Sequence, residues 1–146
     1  MAWPTAGDSD VMNLERRSSE DRFEAMALEL PQVDCRTEHT FGDGWYVRQV
    51  TIPAGTYAMG HRHRFETLNN VVSGHAQIMT EDGPVDVFAP ATFTSPPGRK
   101  LVYAVTETVW QNVIATELKD PDAIEAIMVE RSPKWLERNS ACLLSA

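Results

Sequence analysis

Two histidines separated by one residue, His61 and His63, are the best candidates for chemistry in this sequence. Side chains alternate between the two faces of a β-strand, so both imidazoles are expected on one face, where they can hold one ion. A nearby carboxylate, Glu66, would join them if a β-bulge turned it to that face. The set predicts a site for Fe, Ni, Mn or Zn. The alternative is a hydrogen-bonded histidine pair that works without a metal.

Polar side chains further along the chain are candidates for lining a pocket: Thr67, Gln77 and Tyr103. Such residues suit a small acid or sugar, and they are also ordinary in half-buried strands. A metal-free isomerase would need a histidine as base and a tyrosine as acid, here His61 and Tyr103. No basic cluster for a nucleotide accompanies them, so this alternative ranks last. Arg99 and Lys100, beside a Pro-Pro-Gly turn, make a small basic spot that could hold an anion, and a solvated turn explains them equally well.

The histidines lie among short β-rich runs, residues 44–116, that Gly and Pro turns interrupt. Apolar residues alternate along these runs, and many short strands at regular spacing are typical of a barrel or sandwich. The pattern predicts strands at residues 45–52, 65–72, 75–80, 85–88, 91–95, 100–105 and 109–116.

Short helices are predicted on both sides of the barrel. Ser18 and Asp21 have the spacing of a capping box, and Pro31 ends the helix that follows. Asp120 is suited to cap a second helix, with Pro121 at its first position. The predicted organisation is an extended or partner-docking arm at 1–17, a helix and lead-in strand at 18–43, the barrel at 44–116, and a helix and tail at 117–146.

The segment around the histidines resembles the first motif of the cupins. That motif reads glycine, five residues, His-x-His, three or four residues, glutamate, six residues and glycine. Gly55, His61, His63 and Gly74 match it, and Thr67 stands at the glutamate position.

The second cupin motif is matched at its turn, Pro96-Pro97-Gly98, but Leu101 and Val105 stand at its histidine and asparagine positions. The resemblance implies a mainly β fold, a single cupin barrel (double-stranded β-helix or jelly roll) with short α-helices at both ends. It also implies a weakened metal site, because only two of the usual four ligands are present.

The chain is also similar to small single-domain cupins encoded in phage genomes, through the phrases IPAGT, HRHRFE, APATFTSPPG and ETVWQNV. Several of those relatives carry a histidine where Thr67 stands. This resemblance implies a virion-associated role, other virion proteins as partners, and a location in the host cytoplasm or the virion.

Charge excludes several classes of partner. The chain has 13 Lys and Arg against 21 Asp and Glu, a net charge of −8, and such a surface repels nucleic acid and anionic lipid. No apolar run reaches the length of a membrane span and no signal peptide is recognisable, so we expect a cytoplasmic protein. Trp3, in a polar arm, is expected to contact a partner, and we expect a homo-oligomer.

The missing ligands favour a non-enzymatic cupin that serves as a binding or assembly module without a metal cofactor. The alternative is a metal-dependent enzyme of the dioxygenase or isomerase type, with His61, His63 and a rearranged Glu66 around the ion. The metal content of the purified protein separates the two hypotheses.

Overall fold

A computed structural model of the protein describes residues 10–138. They belong to two compact units, one of residues 33–130 and one of residues 10–32 with 131–138. The strands and helix α2 (Pro121–Met128) are in the first unit, and helix α1 (Asp10–Leu28) is in the second. Trp3, the predicted partner contact, lies outside the described residues.

The first unit is built from short strands. In chain order they are β1 (Arg36–Gly42), β2 (Trp45–Ile52), β3 (Tyr57–Met59), β4 (Arg62–His63), β5 (Thr67–Ser73), β6 (His75–Thr80), β7 (Gly83–Phe88), β8 (Ala91–Ser95), β9 (Leu101–Ala104), β10 (Thr108–Ala115) and β11 (Val129–Glu130). The strands predicted at 45–52, 75–80 and 91–95 are confirmed with these bounds.

The strands form a jelly roll of antiparallel sheets. A five-stranded sheet has the order β1-β2-β10-β5-β8, a four-stranded sheet has the order β3-β9-β6-β7, and β4 pairs with β11. Most neighbours come from distant parts of the chain, which is the mark of a Greek-key arrangement. The predicted mainly β barrel with flanking helices is confirmed.

Burial alternates along the strands and defines an inner and an outer face of the five-stranded sheet. On β2, Tyr46 is 2% exposed and Ile52 is 4% exposed, whereas Trp45, the first residue of the strand, is 43% exposed. On β10, the buried residues Trp110 and Ile114 follow the same alternation. This period of two sends alternate side chains into the barrel and to its outside.

Two glycines of the cupin-like motif occupy turns that require them. Gly55 has a φ of 75° and Gly74 a φ of 94°, a left-handed conformation that residues with a side chain rarely adopt. At Gly74 a Cβ atom would also collide with the backbone of Glu107 and Thr108. The match at these positions therefore reflects backbone geometry.

Helix α2 begins as predicted. The Asp120 carboxylate accepts a hydrogen bond from the Asp122 backbone N–H at 3.1 Å, and Pro121 is the first helical residue. Ile124 is buried and packs with Tyr46 and Ile114. This contact fixes the helix on the barrel.

Helix α1 begins at Asp10, earlier than the predicted start at Ser18. Residues 10–17 lack a clear apolar stripe but contain the strong helix formers Met, Leu, Glu and Arg, which extend the helix into the predicted arm. Within the second unit, the Ser132 hydroxyl accepts a hydrogen bond from the Trp135 backbone N–H at 3.1 Å and donates to the Glu24 carboxylate. Residues 133–138 are also helical, and no helix in the described part of the chain has the length and apolarity of a membrane span.

Candidate functional site

The histidine pair lies at β4, which is held on both sides. His63 is the second residue of this strand, and His61 directly precedes it. The His63 backbone N–H donates to the Gly98 carbonyl at 2.8 Å, and the Gly98 N–H donates back at 3.0 Å. On the other side β11 runs antiparallel, with Val129 opposite His63. The Pro-Pro-Gly turn and the chain that returns after α2 thus position the pair together.

Helix α2 brings a carboxylate to His61. The distance from His61 Nε2 to Glu125 Oε1 is 3.3 Å, and both side chains are partly shielded from solvent. Ile124, the preceding residue, is 2% exposed and anchors this part of the helix in the core. Sequence reasoning missed Glu125, because an apolar stripe locates the buried face of a helix but not the partner of its flanking residues.

His63 is kept neutral by its surroundings. Its Nδ1 lies 2.9 Å from the hydroxyl of Thr67, a residue that is 2% exposed. Burial lowers the pKa of His63 to about 4, and the charges of Lys100, Arg48 and His61 contribute to the same direction. The folded protein therefore holds an uncharged imidazole here at neutral pH.

Two basic side chains, Lys100 and Arg48, act on His63 from different sheets. Lys100 directly precedes β9 and alternates in phase with the buried Val102, and burial lowers its pKa to about 8. Arg48 on β2 alternates in phase with Tyr46, so it belongs to the inner face although solvent reaches it. Positive charges from two separate elements of an acidic chain thus act on one half-buried imidazole.

Tyr46 adds a buried hydroxyl to this region. Its oxygen lies 2.6 Å from His39 Nδ1, and its ring stacks on Phe41 with centroids 5.0 Å apart. Burial raises the pKa of Tyr46, and Glu125 adds to the rise against the opposing charge of Arg48. The hydroxyl is therefore protonated at neutral pH and can donate a hydrogen bond.

Asn69 connects the polar groups of the inner face. It is fully buried, and its side-chain oxygen accepts from Trp110 Nε1 at 3.1 Å and from Asn112 Nδ2 at 2.8 Å. Its amide nitrogen donates to Ser95 Oγ at 3.0 Å. This network holds three strands in register beneath the site.

The predicted metal ligands are only partly brought together. Glu66 lies in the turn between β4 and β5 with an exposed side chain, because Thr67 begins β5 and turns inward in its place. Across residues 10–138 there is no group of three His, Cys, Asp or Glu side chains that could hold a metal ion. His61, His63 and Glu66 therefore do not fit a ligand set here, and metal binding by the pair stays a prediction.

Two predicted pocket residues lie on the outer face of the four-stranded sheet. Gln77 sits between Ala76 and Ile78, which are 0% and 1% exposed and point inward. Tyr103 is the register partner of Gln77 and shares its face. The predicted pocket of Thr67 with these two residues is not formed, because strand alternation sends them to the opposite side of the sheet. Tyr103 is separated from His61 for the same reason.

Comparison with solved structures identifies the architecture. Ectoine synthase from P. lautus aligns with a TM-score of 0.51 and 12% identity, over 70% of this chain and 79% of that one. A cupin 2 domain-containing protein from Halorhodospira halophila aligns at 0.49 and 15%, over 76% and 79%. A cupin-2 domain containing protein from Shewanella frigidimarina aligns at 0.46 and 12%, over 64% and 92%. No protein-family model and no curated protein sequence matches the chain. At these identities the likeness concerns the fold alone.

Proposed function

We propose that the chain is a non-enzymatic, cupin-fold binding module that takes a small carboxylate on the inward side of its barrel. The observation that supports this is that basic side chains on two separate elements alternate in phase with buried residues of the barrel and contribute to lowering the pKa of His63. Lys100 and Arg48 act on it together, within a chain whose net charge is −8. Charge of one sign collected in a partly desolvated site attracts a ligand of the opposite sign.

The basic groups would recognise the ligand in different ways. Lys100 loses hydration where it lies, which lowers its pKa to about 8, and a carboxylate beside it would favour the charged form again. Arg48 offers a planar guanidinium suited to two parallel hydrogen bonds with a carboxylate. Ligand binding would therefore offset part of the electrostatic cost of burying Lys100.

Glu125 limits which acids would fit. Its carboxylate lies by His61, at 3.3 Å from the ring nitrogen, and would repel a second carboxylate there. A hydroxyl or amino group of the ligand would be accepted at this end instead, since a carboxylate accepts hydrogen bonds. The site therefore favours hydroxy or amino acids over dicarboxylates.

Isothermal titration calorimetry with sodium lactate, glycine, succinate and neutral glucose tests the proposal. We expect heat and saturation with lactate or glycine, and at least about tenfold weaker binding in Lys100→Met, since loss of a charged hydrogen bond costs more than 1.4 kcal/mol. Arg36→Met is the matched control, because Arg36 lies on the outward side of β1 with 71% of its side chain exposed. No binding by any acid, or equal loss in the control, would overturn the proposal.

The second candidate is a metal-dependent enzyme of the dioxygenase or isomerase type. The observation that favours it is the placement of His61 next to a carboxylate, that of Glu125. Its test is the metal content of the purified protein, compared with a His61→Ala/His63→Ala variant. Near-stoichiometric Fe, Ni, Mn or Zn that disappears in the variant would replace the binding proposal.

A virion-associated role, with other virion proteins as partners, is a further proposal. Its support is the resemblance of four phrases to phage-encoded cupins. This proposal includes a location in the host cytoplasm or the virion. Detection of the chain by mass spectrometry in purified virions tests it, and absence from virions made in cells that contain the chain would contradict it.

A further inference from the structure

The outer face of the four-stranded sheet combines aromatic rings with amide and carboxylate groups. Its strands β3, β9, β6 and β7 read YAM, LVYA, HAQIMT and GPVDVF. Because side chains alternate, the residues on either side of the buried Ile78, Val87 and Val102 point outward. The outward residues include Tyr57 and Phe88, which are 56% and 64% exposed. Two large aromatic rings therefore lie on one face of this sheet in contact with solvent.

One row of side chains crosses this face from edge to edge. Tyr57 on β3 is the register partner of Tyr103 on β9, and their rings are in contact, with centroids 4.7 Å apart. Tyr103 is in turn the partner of Gln77 on β6, which is the partner of Asp86 on β7. Phe88 follows two residues after Asp86 on the same side of β7. With strands spaced by about 4.8 Å, the row is about 14 Å long and has aromatic rings at both ends.

Neighbouring side chains hold the Asp86 carboxylate in place. Its Oδ1 accepts a hydrogen bond from His75 Nε2 at 2.7 Å and one from Gln77 Nε2 at 3.2 Å. The His75 ring stacks on Phe88, with centroids 4.1 Å apart. Within residues 10–138, no protein group donates to Asp86 Oδ2 or to Gln77 Oε1. Both of these oriented oxygens can therefore accept a hydrogen bond from a ligand.

Aromatic rings beside oriented hydrogen-bond acceptors match the two kinds of surface that a sugar presents. The flat side of a pyranose carries C–H groups, which pack on the electron-rich face of an aromatic ring. Its edge carries hydroxyl groups, which donate to carboxylate and amide oxygens. Charge narrows the ligand further, because Asp86 is the one acidic residue of these four strands and they contain no Lys or Arg. The face therefore repels anionic ligands and is compatible with neutral ones.

We propose that the outer face of the four-stranded sheet binds a neutral oligosaccharide, whose sugar rings stack on Tyr57 and Phe88. Hydroxyl groups of the ligand donate to Asp86 and Gln77 between them. A ligand must span about 14 Å to reach both aromatic ends, and a single sugar ring reaches only one of them. Glucose therefore stays a neutral control for the carboxylate site. The two sites are independent, because the proposed carboxylate would lie inside the barrel, on the other side of this sheet.

Binding of the fluorescently labelled full chain to an array of immobilised neutral and anionic oligosaccharides tests the proposal. We expect retention by neutral oligosaccharides and none by anionic ones. Isothermal titration calorimetry with the best-retained neutral oligosaccharide and its shorter homologues then gives dissociation constants. These should fall at least about tenfold from the monosaccharide to the tetrasaccharide, because only the longer ligand stacks on both aromatic ends.

Variants at each end of the row separate the contributions. Tyr57→Ala and Phe88→Ala each remove one ring, and we expect each to raise the dissociation constant at least about tenfold. Phe65→Ala is the matched control, since Phe65 is 51% exposed and lies in the turn between β4 and β5. Asp86→Asn should also weaken binding, whereas Asp43→Asn, in the turn between β1 and β2, should not. All variants are checked for cooperative thermal unfolding before binding is measured.

Several outcomes would overturn the proposal. They are no retention by any neutral oligosaccharide, retention unchanged in both folded ring variants, and an equal loss in Phe65→Ala. A change of the solution mass in Tyr57→Ala, with no oligosaccharide bound by the wild type, would show that another protein chain covers the face instead. Lactate and glycine are titrated into the same samples, so a failure of the carboxylate site is recorded separately from a failure of this one.

Discussion

The two faces of the five-stranded sheet both carry a network of amide side chains, but the networks lie in different surroundings. Asn69, on the inner face, is fully buried and serves three side-chain partners. Its neighbour Asn70, on the outer face, is only partly buried; its side chain donates to Gln111 Oε1 and accepts from Thr92 Oγ1. The same residue type at consecutive positions therefore joins a desolvated network and a solvated one.

The histidines show the same contrast. His63 is half-buried, and burial together with the charges of Lys100 and Arg48 lowers its pKa to about 4. His75, on the outer face of the four-stranded sheet, lies 2.7 Å from Asp86 and stacks on Phe88. The effect is on the partner, because hydrogen bonds from His75 and Gln77 lower the pKa of Asp86. Strand alternation decides which kind of environment a polar residue meets, and the environment decides its energetic role.

The largest difference between the faces should appear when the two asparagines are truncated. Asn69→Ala leaves the buried Trp110 indole N–H and Asn112 without their acceptor, and we expect it to lower the free energy of unfolding by about 3 kcal/mol. Asn70→Ala breaks partly solvated bonds and should cost less than about 1 kcal/mol. Urea unfolding at one protein concentration compares them. An equal decrease in the free energy of unfolding for both variants would show that the inner network does not stabilise the fold more than the outer one.

Acid should weaken the inner face through His63. The unfolded chain binds a proton at this residue near pH 6.5, and the folded chain binds it near pH 4. Between these values the unfolded state holds more protons, so stability falls as the pH falls from about 6.5 to about 4, by about 2 to 3 kcal/mol.

The difference between wild type and His63→Gln isolates this contribution. The glutamine keeps a polar group near Thr67 but does not titrate. Urea unfolding from pH 4 to pH 7 should show a shallower dependence in the variant. Identical curves would mean that His63 has the same pKa in both states.

The outer pair should give the smallest effect, on proton affinity more than on stability. The Asp86 side chain is 48% exposed, and its pKa is lowered first by the hydrogen bond from His75. His75→Ala should therefore raise the pKa of Asp86 toward its usual value. Carboxyl NMR titration measures this, with Gln77→Ala as the weaker comparison. An unchanged pKa would show that His75 and Asp86 do not form this hydrogen bond in solution.

Local pattern was sufficient for much of the barrel. Alternating apolar residues predicted β2, β6 and β8 with their observed bounds, and Asp120 with Pro121 marked the start of α2. These signals depend on neighbours within a few residues, which is why they can be read along the chain. The same alternation, counted from Ala76 and Ile78, would have placed Gln77 outside the barrel.

The candidate site depended on pairings that have no local signal. Glu125 reaches His61 because the chain after the barrel folds back and β11 pairs with β4. Lys100 and Arg48 are far apart in sequence yet act on the same imidazole. On the outer face, a chain of side-chain hydrogen bonds joins five strands that adjoin only after folding: Thr92 to Asn70, Asn70 to Gln111, Gln111 to Gln49, and Gln49 to Glu38.

The amino-acid sequence by itself determined the fold class, the glycine turns at Gly55 and Gly74, the inward histidine pair and the acidic charge of the chain. Tertiary structure alone decided that Glu66 is exposed and that burial, together with two cations distant in sequence, lowers the pKa of His63. The physical reason is the range of the interactions. Backbone conformation and alternation are set within a few residues, whereas burial, charge and register are set by whichever distant strands become neighbours.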